Sequence, residues 1–162
     1  MTKPQGGKGL DELEFRAWRT FLYAYSAVIP ALDQELVRAL GLSFNQFEVL
    51  AWLRRAGEPG LRMSDLASRV VLSPSGVTRA VDHLERKGLV ERCVFEGDKR
   101  GYIATLTTEG RALLRKATKL HLQGLREHFL NHLSRTDLEH LASALGSVLE
   151  GEGSPLPPLT ET

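Results

Sequence analysis

From Ser73 to Arg92 the chain reads Ser-Pro-Ser-Gly-Val-Thr-Arg-Ala-Val-Asp-His-Leu-Glu-Arg-Lys-Gly-Leu-Val-Glu-Arg. No other stretch constrains the fold as tightly. Ser73 is an N-cap residue, and Pro74 stands at the first helical position, where a backbone N–H would go unpaired in any case. Val77, Ala80, Val81 and Leu84 follow at helical spacing and predict a buried side. Lys87-Gly88 closes the segment in the manner of a helix C-terminus. Leu89 to Phe95 and Tyr102 to Leu106 are two short strand candidates rich in Val, Ile, Tyr and Phe. Glu96 to Gly101 links them as a hairpin loop carrying Asp98, Lys99 and Arg100. A small-residue helix followed at once by a basic-tipped hairpin predicts a winged helix-turn-helix.

The flanking segments are helical. Met1 to Gly9 reads as a loose tail. From Leu10, the residues Phe15, Trp18, Leu22, Tyr25, Ile29, Leu32, Leu36 and Leu40 recur at spacings of three and four, one stripe of a helix. Pro30 inside that run predicts a kink or break near Ile29, and Gly41 a stop. Ser43-x-x-Gln46 is a capping-box pattern opening a second helix with Phe47, Leu50, Ala51 and Trp52, ended by Gly57 to Gly60. A third, short helix starts at Met63 or Ser64, with Leu66, Ala67 and Val70 inward. Thr107 caps a long helix carrying Leu113, Ala117, Leu120, Leu125 and Phe129, and Ser134-x-x-Asp137 opens a last one. The reading is a mainly α single domain over residues 10–150, with tails at 1–9 and 151–162. Residues 43–107 form a DNA-binding lobe, and the terminal helices, 10–42 and 108–150, a dimerisation lobe. Those helices carry more apolar surface than one chain of this size hides, so a second copy is the natural partner.

Composition narrows the functional classes. The 162 residues carry a formal net charge of +1, so any basic footprint must be local. No apolar run is long enough for a bilayer, and the N-terminus has no hydrophobic core of a secretory signal. The single cysteine, Cys93, cannot form an intrachain disulfide, and a reducing cytoplasm is the expected home. There is no phosphate-binding glycine loop, nucleophile elbow or metalloprotease pair, so neither an enzyme nor a cofactor is expected.

With Val77, Val81 and Leu84 inward, Ser75, Gly76, Thr78, Arg79, Asp82, His83 and Arg86 fall outside or on the flanks. Ser75, Thr78 and Arg79 are then candidates for base readout. Arginine is long enough for a guanine edge, and Gly76 allows close backbone approach. Arg62, Ser64, Ser73, His83, Arg92 and Lys99 are candidates for phosphate contacts. Arg100, braced by Asp98, suits a narrow minor groove. The same residues also fit an ordinary solvated face and a mixed-charge hairpin tip. The near-neutral net charge equally suits a winged helix that binds protein instead of DNA.

Several of these segments resemble the MarR family of bacterial winged-helix regulators. The resemblance rests on Met63-Ser64-Asp65-Leu66-Ala67, Leu72 to Arg79, Leu84 to Arg92, Asp98-Lys99-Arg100-Gly101 and Leu106-Thr107-Thr108-Glu109-Gly110. It implies a triangular homodimer on a pseudo-palindromic operator, with Pro74 to Lys87 in the major groove and Arg100 in the minor groove. It also implies a regulator, more often a repressor than an activator. Many members are released by small aromatic or phenolic ligands held between the dimer lobe and the winged helix. Trp18, Tyr25, Phe47 and Trp52 are the aromatic residues on the helices that would line such a crevice, and plain core packing explains them as well. A ligand-independent regulator remains the alternative. The oxidant-sensing branch carries its cysteine in the first helix, where this chain has none. His128 and His132 stand four apart on the long helix, a chelating spacing. The pattern of the zinc-dependent branch is not evident, and no metal site is expected.

Overall fold

The computed structural model describes residues 9–94 and 102–154. Among the described residues, six α-helices and three short strands follow one another: α1 (Glu12–Leu40), α2 (Phe44–Ala56), β1 (Leu61–Arg62), α3 (Met63–Ala67), α4 (Pro74–Arg86), β2 (Val90–Val94), β3 (Tyr102–Leu106), α5 (Thr108–His128) and α6 (Arg135–Gly151).

Caps set the helix starts. The Asp11 carboxylate accepts the Glu14 N–H, and the Glu14 carboxylate accepts the Asp11 N–H, both at 2.8 Å, a capping box that the sequence reading did not single out. Ser43 and Gln46 form the box expected at α2, and the Asp33 carboxylate accepts the Phe44 N–H at 2.8 Å, tying α2 to α1. Ser73 caps α4 through the Gly76 N–H, at 3.1 Å. Ser134 and Asp137 box the start of α6.

Three expectations change. First, α1 runs unbroken through Pro30. The missing N–H forfeits only the bond to the Ser26 carbonyl, and Leu32 and Leu36, just beyond, are locked in the core. Second, a strand unseen in the sequence, β1, pairs antiparallel with β3, with Leu61 opposite Ala104 and Arg62 opposite Ile103. The sheet order is β1-β3-β2. Two residues are too few to show an alternating pattern. Gly60 delivers the chain into it with φ of +108°, and a Cβ there would lie 2.3 Å from the Ala104 carbonyl oxygen, so only glycine fits. Third, α5 stops at His128. Phe129 leaves the helix at φ −138°, ψ −63°, and a 3-10 turn, Leu130–His132, follows, so His128 and His132 do not share a helix.

The core belongs to the winged-helix lobe. Leu42, Val49, Leu50, Leu66, Val77, Val81, Leu84 and Val90 are buried together, joined by Leu36 of α1 and by Leu114 and Ala117 of α5. The Lys87 Nζ donates to the Gly41 carbonyl at 2.8 Å, bolting the end of α4 to the end of α1. The stripe along α1 divides: Leu32 and Leu36 are buried, whereas Phe15, Trp18, Leu22 and Tyr25 are exposed. In α6 no residue is buried. Among the described residues, no helix is long and apolar enough to cross a membrane.

Candidate nucleic-acid interface

Helix α4 presents two unlike faces. Val77, Ala80, Val81 and Leu84 are buried; Ser73, Ser75, Thr78 and Arg79 are exposed, and Gly76 and His83 half-buried. The division follows from the period of the helix meeting a block of apolar residues three and four apart. Thr78 Oγ1 donates back to the Pro74 carbonyl at 3.1 Å, which engages its hydroxyl and leaves its methyl uncommitted. Arg79 forms no ion pair among the described residues. An open cleft of about 460 Å³ separates α4 from the start of α2, lined by Asn45, Gln46, Arg79, His83 and Arg86 among others. Ser64 is exposed on α3, with its hydroxyl 3.4 Å from the Asp65 carboxylate. Arg62, half-buried, stands at the N-cap of α3.

Arg92 has a different setting from the one expected. It reaches from β2 to α4, pairing with the Asp82 carboxylate and, at 3.4 Å, with Glu85. Its side chain is 20 % exposed, and its Nε is buried without a partner. Its charge is spent on two acids of the helix it supports. Asp98, Lys99 and Arg100 lie outside the described residues; the described strands end with Val94 opposite Tyr102.

The four aromatic residues do not gather around one cleft. Phe47 and Trp52 are core residues. Phe47 packs against Phe44 and His121, with ring centroids 6.4 and 4.6 Å away. Trp52 carries the guanidinium groups of Arg55 and Arg69 at 5.2 and 5.8 Å. Trp18 and Tyr25 lie exposed on α1. Tyr25 borders a shallow hollow with Arg19, Leu22, Tyr23 and Ser26, all on the same helix.

His121 of α5 sits against Phe44 and Phe47 of α2 with its Nδ1 buried and unpartnered. Burial pushes its pKa below the ordinary histidine range. Below that range the unfolded chain takes up the proton more readily than the folded one. The contribution of this site is therefore full at neutral pH and falls away as the solution turns mildly acid. Thermal unfolding across that window is expected to show the loss, and His121→Phe to flatten it. No periodicity distinguishes such a wedge from a surface histidine; only the packing of α5 on α2 does.

Comparison with known proteins agrees with this architecture. Residues 40–101 match the model of the MarR family. The HTH-type transcriptional regulator PecS of Dickeya dadantii is 34% identical over 66% of this chain and 64% of its own length, so the chain spans just under two thirds of that relative. The crystal structure of AbsC, a MarR family transcriptional regulator from Streptomyces coelicolor, is 33% identical with a TM-score of 0.82, covering 91% of this chain and 99% of that one. That of Sco3205, a MarR family regulator from the same organism in complex with DNA, is 29% identical with a TM-score of 0.85, covering 91% and 92%. The chain belongs to the MarR family of transcriptional regulators.

Proposed function

We propose that this chain acts as a homodimeric repressor that binds a pseudo-palindromic duplex through α4 and the loop beyond β2. The observation that carries the reading is α4 itself: an exposed Ser75, Thr78 and Arg79 above a fully apolar buried face. A structural relative of this chain is described in complex with DNA. Support for pairing comes from α6, whose leucines are at most half-buried within one chain, and from the exposed Phe15, Trp18, Leu22 and Tyr25 of α1. Two-fold pairing sets the α4 helices about 34–36 Å apart, one turn of DNA. Arg100, braced by Asp98, reads minor-groove width, and Lys99, Arg62, Ser64, Ser73 and His83 hold phosphates. Release by a small aromatic or phenolic ligand is the finer reading. It rests on the exposed aromatic residues of α1, where the Arg19 guanidinium lies 4.6 Å from the Tyr23 ring.

Duplex titrations at several salt concentrations test the assignment. Arg79→Ala is expected to relax preference at one base pair by about 1–3 kcal/mol. Arg100→Ala is expected to weaken binding to matched and scrambled duplexes alike and to lower the salt slope by about one unit. Unchanged binding by both variants would remove the proposal, leaving a winged helix that contacts protein.

Arg92→Ala separates scaffold from contact. Its guanidinium is engaged by Asp82 and Glu85, so its loss bares two carboxylates on the readout helix. Affinity is expected to fall without the one-unit drop in salt slope that marks a lost phosphate contact, and Asp82→Asn should recover part of it in the double variant. A slope reduced by a full unit would place Arg92 on the backbone instead.

A further inference from the structure

Away from α4, the last turn of α5 and the C-terminal half of α1 bring three metal-ligating side chains together. Glu35 Oε1 lies 2.8 Å from His128 Nε2, and one ligand atom from each of Glu35, Glu127 and His128 falls within 4.8 Å of the other two. Glu35 and His128 are half-buried and Glu127 is exposed. Gly124, one turn before His128, makes the approach possible: a Cβ there would meet Glu35 Oε2 at 2.3 Å and Leu32 Cδ2 at 3.0 Å. Gln123 Nε2 donates to Glu127 Oε1 at 2.9 Å and orients the second carboxylate.

The charge balance is the independent reason to expect a cation. Among the described residues, neither Glu35 nor Glu127 pairs with a lysine or arginine. Glu127 stands in the last turn of the 21-residue α5, where the last carbonyls carry partial negative charge, and Glu35 of α1 reaches Gly124 one turn earlier. A carboxylate in that turn is disfavoured, and the ion-pair partner of Glu35 among the described residues is an imidazole, that of His128.

We propose that Glu35, Glu127 and His128 bind a divalent transition-metal ion of the zinc class, which ties α1 to α5. One imidazole nitrogen and two carboxylate oxygens without a thiolate suit zinc(II), cobalt(II) or manganese(II), not copper(I), and the imidazole disfavours calcium and magnesium. Around a tetrahedral ion with bonds of about 2.0–2.2 Å, donors stand about 3.3–3.6 Å apart, so Glu35 and His128 must part slightly from 2.8 Å while pairs as wide as 4.8 Å close. Three protein ligands leave room for water, the pattern of an exchangeable site. The proposal stands apart from DNA binding and needs none of it.

The experiment uses the full chain stripped by chelator and titrated with cobalt(II), read by visible absorption and by thermal unfolding. A d–d band saturating at one ion per chain, erased by zinc(II), and a raised Tm are expected. Glu127→Gln changes an exposed residue and leaves the helix intact; it should weaken cobalt(II) binding by at least about tenfold and remove the Tm rise. His128→Ala should abolish the band, and His140→Ala, on the exposed face of α6, should leave band and Tm response as in the parent chain. No band at millimolar cobalt(II), a band undiminished by Glu127→Gln, or one lost with His140→Ala overturns the site.

Discussion

Gly110→Ala is expected to strip the domain of a large part of its stability. A Cβ at this position would lie 2.0 Å from the Leu89 carbonyl oxygen and 3.0 Å from the carbonyl carbon. The obstacle is backbone, which cannot rotate aside as a flexible side chain can. Three elements meet there. Thr107 Oγ1 accepts the Gly110 N–H at 3.0 Å and donates to the Gly88 carbonyl at 2.7 Å, while the Thr107 N–H donates to Leu89 at 3.2 Å. Relief of the clash therefore shifts the first turn of α5, the exit of α4 and the entry of β2 together. The cost belongs at the upper end for overpacking, about 3 kcal/mol or more, against a total of about 5–15 kcal/mol for a domain. Urea unfolding reads it directly. An unshifted midpoint would show that α5 slides without penalty.

Leu84→Ala is the second large effect, and its contrast with Arg79→Ala is what makes it informative. Leu84 is fully buried, so truncation loses transfer energy and leaves a cavity, about 3–4 kcal/mol in all. Arg79, five residues earlier on the same helix, is exposed, and its removal should alter stability by no more than about 0.5 kcal/mol. Under conditions where Leu84→Ala remains folded, its affinity for matched duplex should stay near that of the parent chain, because the exposed face is untouched. The two substitutions thus fail in opposite assays. A Leu84→Ala variant as stable as the parent would mean that the core closes over the missing methyls.

How far the residues announced this outcome depends on the range of the interaction. Local signals were faithful: Ser43, Ser73, Thr107 and Ser134 each cap the helix expected of them, because a cap is settled within four residues. The inward side of α4 was equally legible, since Val77, Ala80, Val81 and Leu84 state it by period alone. Pairings across the chain were not. Nothing near Arg92 reveals that Asp82 and Glu85 will claim it, and a lone basic residue in a strand reads equally well as a phosphate contact. Glu35 and His128 lie 93 residues apart, and only the docking of α1 on α5 brings them within 2.8 Å. Phe47 and Trp52 fitted two readings from the start. Aromatic residues at helical spacing fit a ligand crevice and a core alike, and tertiary packing assigned these two to the core. Pro30 carried a strong local rule that neighbouring buried leucines overrode.

The bond from Lys87 to the Gly41 carbonyl has a mechanical meaning. Helix α1 has 29 residues, a rod about 44 Å long at 1.5 Å per residue. Pivoting such a rod by a few degrees displaces its far tip by several ångströms. Because its near tip is pinned to the exit of α4, the long rod has the geometry of a lever: a tilt at its far end is passed, through one ammonium group, to the end of α4.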